Sequence, residues 1–230
     1  MRAIDGLIFD KDGTLFDFRK SWGGWARGLL SNMARDMSHA DEMAHAIGFN
    51  LKSGDFTPDS PVIAATAADI ALSLSPHIPG RSVSEITSHI NEAAALAHME
   101  EAVPLRPLFT KLKAKGLKIG LATNDTEVAA RAHLAAHDVI DFFDFISGYD
   151  TGHGAKPGPG MCQAFARTTR LSPSRCAMVG DSLHDLHSGK AAGMVTIAVL
   201  TGIATREDLA PDADVVLDNI GALPDWLEGA

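Results

Sequence analysis

The chain alternates between short apolar runs and polar punctuation. Ala3 to Phe9 is mostly apolar and stops at the polar cluster Asp10-Lys11-Asp12-Gly13-Thr14. Runs of the same form recur at Leu117 to Ala122, Phe143 to Ser147, Cys176 to Val179 and Met194 to Val199, with a weaker one at Asp214 to Leu217. Apolar runs this short and continuous predict strands buried on both faces. Between them lie helical patterns with recognisable ends. Arg106 to Lys115 precedes Gly116, Glu127 to Ala136 follows Asn124-Asp125-Thr126, Met161 to Arg170 precedes Ser172-Pro173, and Leu183 to Ala192 precedes Gly193. Strands alternating with single helices predict an α/β fold, a Rossmann-like doubly wound parallel sheet that binds ligands at the carboxyl ends of its strands.

Residues 18–102 break that alternation. They hold no β-branched run and are rich in Ala, Met, Leu and His at helical spacing. Ala26, Leu29, Leu30, Met33, Ala34 and Met37 trace one apolar face, and Ile63 to Leu74 and Ile86 to Met99 supply further helices between segments carrying Pro58, Pro61, Pro76 and Pro79. The pattern predicts an all-helical subdomain over 18–102 inserted into a core made of 1–17 and 103–230. The apolar stripe is read as that subdomain's own core.

Composition narrows the class of partner. With 46% apolar and 21% charged residues the 230-residue chain suits a globular core with a smaller insert. Acidic residues number 29 against 20 Lys plus Arg, a net charge of −9 that would repel a nucleic-acid backbone or an anionic membrane surface. No stretch reaches the roughly 18 apolar residues of a membrane helix, and no signal layout opens the chain. Cys162 and Cys176 fit neither a disulfide framework nor a zinc knuckle, so a reducing cytoplasm is the expected compartment.

The chemistry gathers at the predicted strand ends. Asp10 sits where a side chain can attack an electrophile, and Asp12, two residues on, can face the same cavity as a proton donor and acceptor. Gly13 permits a tight backbone approach to an anion, and Thr14 can help fix the loop. Thr123 and Asn124 offer a hydroxyl and an amide to phosphoryl oxygens, with a helix N-terminus behind them. Lys156, in the loop Gly152-His153-Gly154-Ala155-Lys156-Pro157, is a compact cation for a phosphate or for Asp10. In Gly180-Asp181-Ser182-Leu183-His184-Asp185 the acids Asp181 and Asp185 offer hard oxygen ligands to a divalent cation. Singly, each group has a plain use as a cap, a solvated lysine or a turn acid; accident explains their recurrence at successive strand ends poorly.

Four motifs carry a family resemblance over essentially the whole chain. They are Asp10-Lys11-Asp12-Gly13-Thr14-Leu15, Thr123 with Asn124, Lys156 before Pro157-Gly158-Pro159, and the GDxxxD run from Gly180 to Asp185. In this order they resemble the haloacid dehalogenase-like phosphohydrolases, in particular the phosphoglycolate phosphatase-like members with a helical cap. The resemblance implies Asp10 as a nucleophile that becomes an aspartyl phosphate and Asp12 as the acid and base. It implies Mg²⁺ held by the Asp10 carboxylate, the Asp12 main-chain carbonyl and Asp181, with Asp185 as a ligand or its support. Thr123, Asn124 and Lys156 would hold the phosphoryl oxygens.

The expected partner is a small phosphorylated metabolite, with phosphoglycolate as the leading guess and the protein a monomer or homodimer. Asp12 argues against dehalogenation, since halide leaves without a proton. A phosphosugar mutase of the same fold, and a phospho-acceptor signalling or binding module, remain as alternatives; the latter has no use for a cap of roughly 80 residues. Substrate choice is expected from the cap, with Arg19, Lys20, Trp22 and Trp25 just past the catalytic loop as candidates. The histidines, including His184 and His187, form no ligand constellation and are assigned no role.

Overall fold

The computed structural model describes residues 4–229, so Ala3 of the first run lies outside the described residues. β1 (Gly6–Phe9) leads into five helices: α1 (Phe18–Met33), α2 (Met37–Ala46), α3 (Ala67–Leu74), α4 (Val83–Ala95) and α5 (Leu105–Ala114). Then follow β2 (Lys118–Ala122), α6 (Glu127–Ala136), β3 (Phe145–Ser147), α7 (Gly160–Thr169), β4 (Cys176–Gly180), α8 (Leu183–Ala191), β5 (Val195–Val199), α9 (Arg206–Leu209), β6 (Val215–Leu217) and α10 (Leu223–Gly229). The strands form one sheet in the order β3-β2-β1-β4-β5-β6, every neighbouring pair parallel. All six apolar runs are strands, and the strand order reverses at β1. That puts the crevice of a doubly wound sheet at the carboxyl end of β1, beside β4.

Alternation along β1 supplies both layers. Leu7 and Phe9 pack with Phe109 of α5, Ile119, Leu121 and Val179, while Ile8 packs on the other face with Met161, Phe165 and Met178. Each of these is fully buried, worth about 1.5–3 kcal/mol per side chain. Gly120 lets α7 come close, since a Cβ there would lie 2.5 Å from the Phe165 ring. Gly120→Ala would therefore push α7 off the sheet.

The helical segment agrees with expectation in kind and differs in boundaries, because capping residues override the apolar pattern. α1 ends where Ala34 turns extended, and Asp36 accepts from the His39 N–H to start α2. Met37, expected on the face begun by Ala26, is consequently exposed. The helix expected over Ile63 to Leu74 begins only at Ala67, behind a Thr66/Asp69 capping box. The one expected over Ile86 to Met99 runs from Val83 to Ala95, set by a Ser82/Glu85 box. Each cap contributes about 1 kcal/mol. The segment is tied to the sheet-bearing part by Asp17 N–H to the Glu100 carbonyl at 2.8 Å, Ala102 N–H to the Leu15 carbonyl at 2.9 Å, and α4 packed on α6. Among the described residues no helix is long and apolar enough to cross a membrane.

Candidate active site

Four strand tips deliver the predicted side chains. Asp10 follows β1, its N–H bonded to the Val179 carbonyl at 2.8 Å, and its carboxylate is buried beside Lys156. The loop then reverses, with Leu15 N–H on the Lys11 carbonyl and Gly13 at φ +83°. A Cβ at Gly13 would collide with the Asp181 carboxylate, so this position needs glycine for both its conformation and its neighbour. Gly180 similarly leaves room for Asp185.

Lys156 is the hub. Its ammonium donates to Asp10 Oδ1 at 2.5 Å and to Asp185 Oδ1 at 2.6 Å. The other Asp185 oxygen caps α8 by accepting from the Ser182 N–H and hydroxyl at 3.1 and 2.7 Å. Asp10, Asp181 and Asp185 each turn an oxygen into a common space, all within 4.8 Å of one another. Three buried carboxylates around one ammonium are short of positive charge. Burial, then the neighbouring acids, pushes Asp10 up to about 7 against the pull of Lys156, and burial with Asp10 and Asp185 holds Asp181 well above the usual carboxylate range. Burial pulls the Lys156 ammonium down, but Asp10 and Asp185 outweigh it and hold it above its ordinary value. An all-oxygen donor set with this deficit fits a hard divalent cation.

Asp12 faces the same cavity as Asp10 but belongs to a second cluster. Its Oδ1 accepts from the Lys11 ammonium at 2.7 Å and from the Trp22 indole N–H at 2.8 Å. Lys11 is fully buried, with Asp125 Oδ2 at 3.3 Å, too poorly aligned for a hydrogen bond, and His133 Nδ1 at 3.2 Å. Since Nδ1 accepts from an ammonium, His133 carries its proton on Nε2, which donates to the Ala94 carbonyl of α4 at 2.9 Å. Burial first, and Lys11 second, lower the His133 pKa to about 4.

Thr123 is buried at the tip of β2, and its Oγ1 accepts from the Asp125 N–H at 3.1 Å, leaving the hydroxyl proton for another acceptor. Asn124 departs from expectation. Its amide donates to the Lys156 carbonyl at 2.9 Å and the Ala64 carbonyl at 2.8 Å, and its oxygen accepts from the Lys156 N–H at 2.8 Å. Both amide protons are thus committed to holding the lysine loop, and neither is available to a phosphoryl oxygen.

A cavity of about 60 Å³ lies over these groups, lined by Asp10, Asp12, Thr123, Asn124 and Lys156 and, from the helical segment, by Trp22 and Trp25. Arg19 and Lys20 do not reach it. They lie on the outer face of α1, about half and two-thirds exposed, paired with Asp55 at 3.2 Å and Asp17 at 3.5 Å. Helical phase decides this: Phe18, Trp22, Trp25, Ala26 and Leu29 share the inward face, and positions 19 and 20 fall opposite. Sequence reasoning missed Lys11, Asp125, His133 and the cavity-lining His184. The only local hint is the strand tip, where Asp10 and Asp12 alternate with Lys11 and send it to the other side.

The chain is similar to known proteins along most of its length. The haloacid dehalogenase-like hydrolase model matches residues 7–199. A Dickeya dadantii protein named "Probable phosphatase IndB" is 35% identical over 92% of this chain and 88% of its own. The phosphoglycolate phosphatase of Rhodospirillum rubrum is 32% identical over 120 residues, so the match spans only about half of that relative's length (50%) and 52% of this chain. Among solved structures, a β-phosphoglucomutase of Clostridium difficile superposes with a TM-score of 0.68 at 18% identity, over 98% of this chain and 96% of that one, a likeness of fold. The chain belongs to the haloacid dehalogenase-like hydrolase family.

Proposed function

We propose that the protein is a phosphatase that hydrolyses a small phosphate monoester in two steps through an aspartyl phosphate on Asp10. The reaction class is phosphoric monoester hydrolysis. The observation that carries the reading is the meeting of Asp10, Asp12, Thr123 and Lys156 in one cavity, with Asp181 and Asp185 directly behind Asp10. An Asp10 oxygen forms a bond to phosphorus as the ester P–O bond breaks, and Asp12 gives its proton to the departing alkoxide. Asp12 then takes a proton from water, which attacks the same phosphorus and restores the Asp10 carboxylate.

Phosphoryl transfer asks mostly for in-line positioning and charge neutralisation, since two unit charges repel by about 4 kcal/mol at ~4 Å in a partly buried site. Lys156 and the Thr123 hydroxyl are the chain's own groups for the phosphoryl oxygens. A Mg²⁺ ion, held by Asp10, the Asp12 main-chain carbonyl and Asp181 with Asp185 supporting, would supply further positive charge for the nucleophile and the phosphoryl group. Residues 18–102 act as the cap that covers the site and excludes water, and 1–17 with 103–230 form the catalytic core.

The test is Asp10→Asn, scored by steady phosphate release from a panel of small monoesters. Turnover is expected to fall by about 10⁴-fold or more with the melting curve preserved. A variant that keeps a tenth of its rate overturns the nucleophile.

A further inference from the structure

Asp12 is held by only one of its two oxygens. Oδ1 accepts from the Lys11 ammonium at 2.7 Å and from the Trp22 indole N–H at 2.8 Å. Oδ2 has no partner among the described residues and is not one of the buried atoms left unpaired, so it keeps accessible surface on a residue that lines the cavity. Two donors occupy both lone pairs of Oδ1, and a proton carried by this carboxyl therefore sits on Oδ2.

The Lys11 ammonium is itself caged. Lys11 is fully buried, and its ammonium touches His133 Nδ1 at 3.2 Å, with Asp125 Oδ2 at 3.3 Å and the centre of the Trp22 ring at 5.1 Å. His133 is anchored to the Ala94 carbonyl of α4, and Trp22 belongs to α1, so both donors on Asp12 are tied to the helical segment. An ammonium with no accessible surface is far harder to bury than an apolar side chain. What it does that an apolar side chain could not is hold one oxygen of the carboxyl in place, since a rotated Asp12 would leave the buried ammonium short of its nearest acceptor.

Resting on the phosphatase reading, we propose that Lys11 and Trp22 are positioning residues for proton transfer, holding Asp12 Oδ1 so that Oδ2 alone meets the departing oxygen. As an Asp10 oxygen bonds to phosphorus and the ester P–O bond breaks, the proton passes from Asp12 Oδ2 to the alkoxide. The negative charge left on the Asp12 carboxyl then lies against an ammonium and an indole N–H, both of which bind it more strongly than they bind the neutral acid.

The leaving group separates this role from a merely structural one. Ethoxide must be protonated as it departs and acetate need not be, so kcat/KM for ethyl phosphate and for acetyl phosphate, two substrates of similar size, differ in their demand on Asp12. Asp12→Asn, which cannot give up a proton, is the reference and is expected to lower the ethyl-to-acetyl ratio by about 10²-fold or more. Lys11→Met combined with Asp125→Asn, which removes the acid that would otherwise lose its cation, is expected to lower the ratio by about tenfold, and so is Trp22→Phe. Loss of packing alone would lower both rates together, and a ratio within one protein is insensitive to a partly unfolded sample. Trp22→Phe removes a single N–H and keeps a ring, so it decides the proposal where the lysine variant yields no folded protein. A ratio that collapses in Asp12→Asn and stays at the wild-type value in the Lys11 variant overturns positioning by Lys11 and leaves the phosphatase reading intact; an unchanged ratio in Trp22→Phe does the same for the indole. An unchanged ratio in Asp12→Asn itself overturns Asp12 as the acid, and with it the reading on which the inference rests.

Discussion

Lys11 and Lys156 are both buried, both between carboxylates and both beside the same cavity, yet their surroundings differ in how far negative charge exceeds positive. Around Lys11 the deficit is smaller: Asp12, Asp125 and a neutral His133 surround one ammonium, the Trp22 N–H completes Asp12, and Asp125, with one oxygen unpaired, is held above the ordinary carboxylate range by burial. Around Lys156 three carboxylates crowd one ammonium, and two of them are driven toward their protonated forms. The first cluster carries two acids on one ammonium and fixes Asp12, the group proposed for proton transfer. The second carries a larger unmet demand for positive charge, which suits the cation and phosphoryl group proposed for it. The number of buried carboxylates per ammonium separates the two.

The largest test of that contrast is removal of divalent cations. Phosphate release in chelator is expected to fall by about 10³-fold or more and to return with Mg²⁺. The pH sign follows from the raised acids. With folded pKa values above the unfolded 3.8, Asp10 (about 7) and Asp181 bind protons more tightly in the folded chain, so their own contribution to cation-free stability is greatest at low pH and is lost as pH rises through about 7. Bound Mg²⁺ would replace those protons. At saturating Mg²⁺ the melting temperature is expected to rise by about 5–10 °C near pH 8 and much less near pH 5, and an equal rise at both would contradict the charge deficit.

Breaking the Lys11 cluster is the next largest perturbation. Lys11→Met leaves Asp12 and Asp125 without their cation in a buried place and is expected to cost about 3–5 kcal/mol in denaturant titrations. Adding Asp125→Asn should recover part of that loss, and a double variant no more stable than the single one would show that Lys11 does not offset the buried charge of Asp125.

The smallest effect lies in His133. Its pKa of about 4 sits below the unfolded 6.5, so its neutral form contributes stability that is complete above about 6.5 and lost as pH falls toward 4. His133→Gln is expected to flatten the fall in stability between about pH 7 and pH 4.5 by about 2–3 kcal/mol. An unchanged acid limb in the variant would mean that this imidazole accepts a proton freely where it sits.

Much of the fold could be read along the chain, because strands buried on both faces leave continuous apolar runs and the next helix announces itself by a cap. Gly116 and Gly193 punctuate their helices as expected, both at positive φ. Helix starts in the 18–102 segment were harder to read, since Thr66 with Asp69 and Ser82 with Glu85 outrank the apolar spacing that suggested other boundaries. In the site, Asp10, Asp12, Lys156 and Asp181 were legible because each directly follows a buried run or sits in a short glycine-bearing loop. Arg19 and Lys20 lie near the site along the chain, and helical phase carries them to the outside. Asn124 has an amide that suits a phosphate and a main-chain carbonyl equally, and nothing local distinguishes the two.

What the amino-acid sequence determined alone is the alternation of elements, the parallel sheet and the polar groups at its strand tips, because backbone sterics and burial act over a few neighbouring residues. What only the tertiary structure decided is the pairing: Lys11 with His133, Asn124 with the Lys156 loop, and Trp22 with Asp12. Hydrogen bonds and buried charges are settled by whichever donors and acceptors the packed elements bring within about 3 Å, and those partners can lie far apart along the chain.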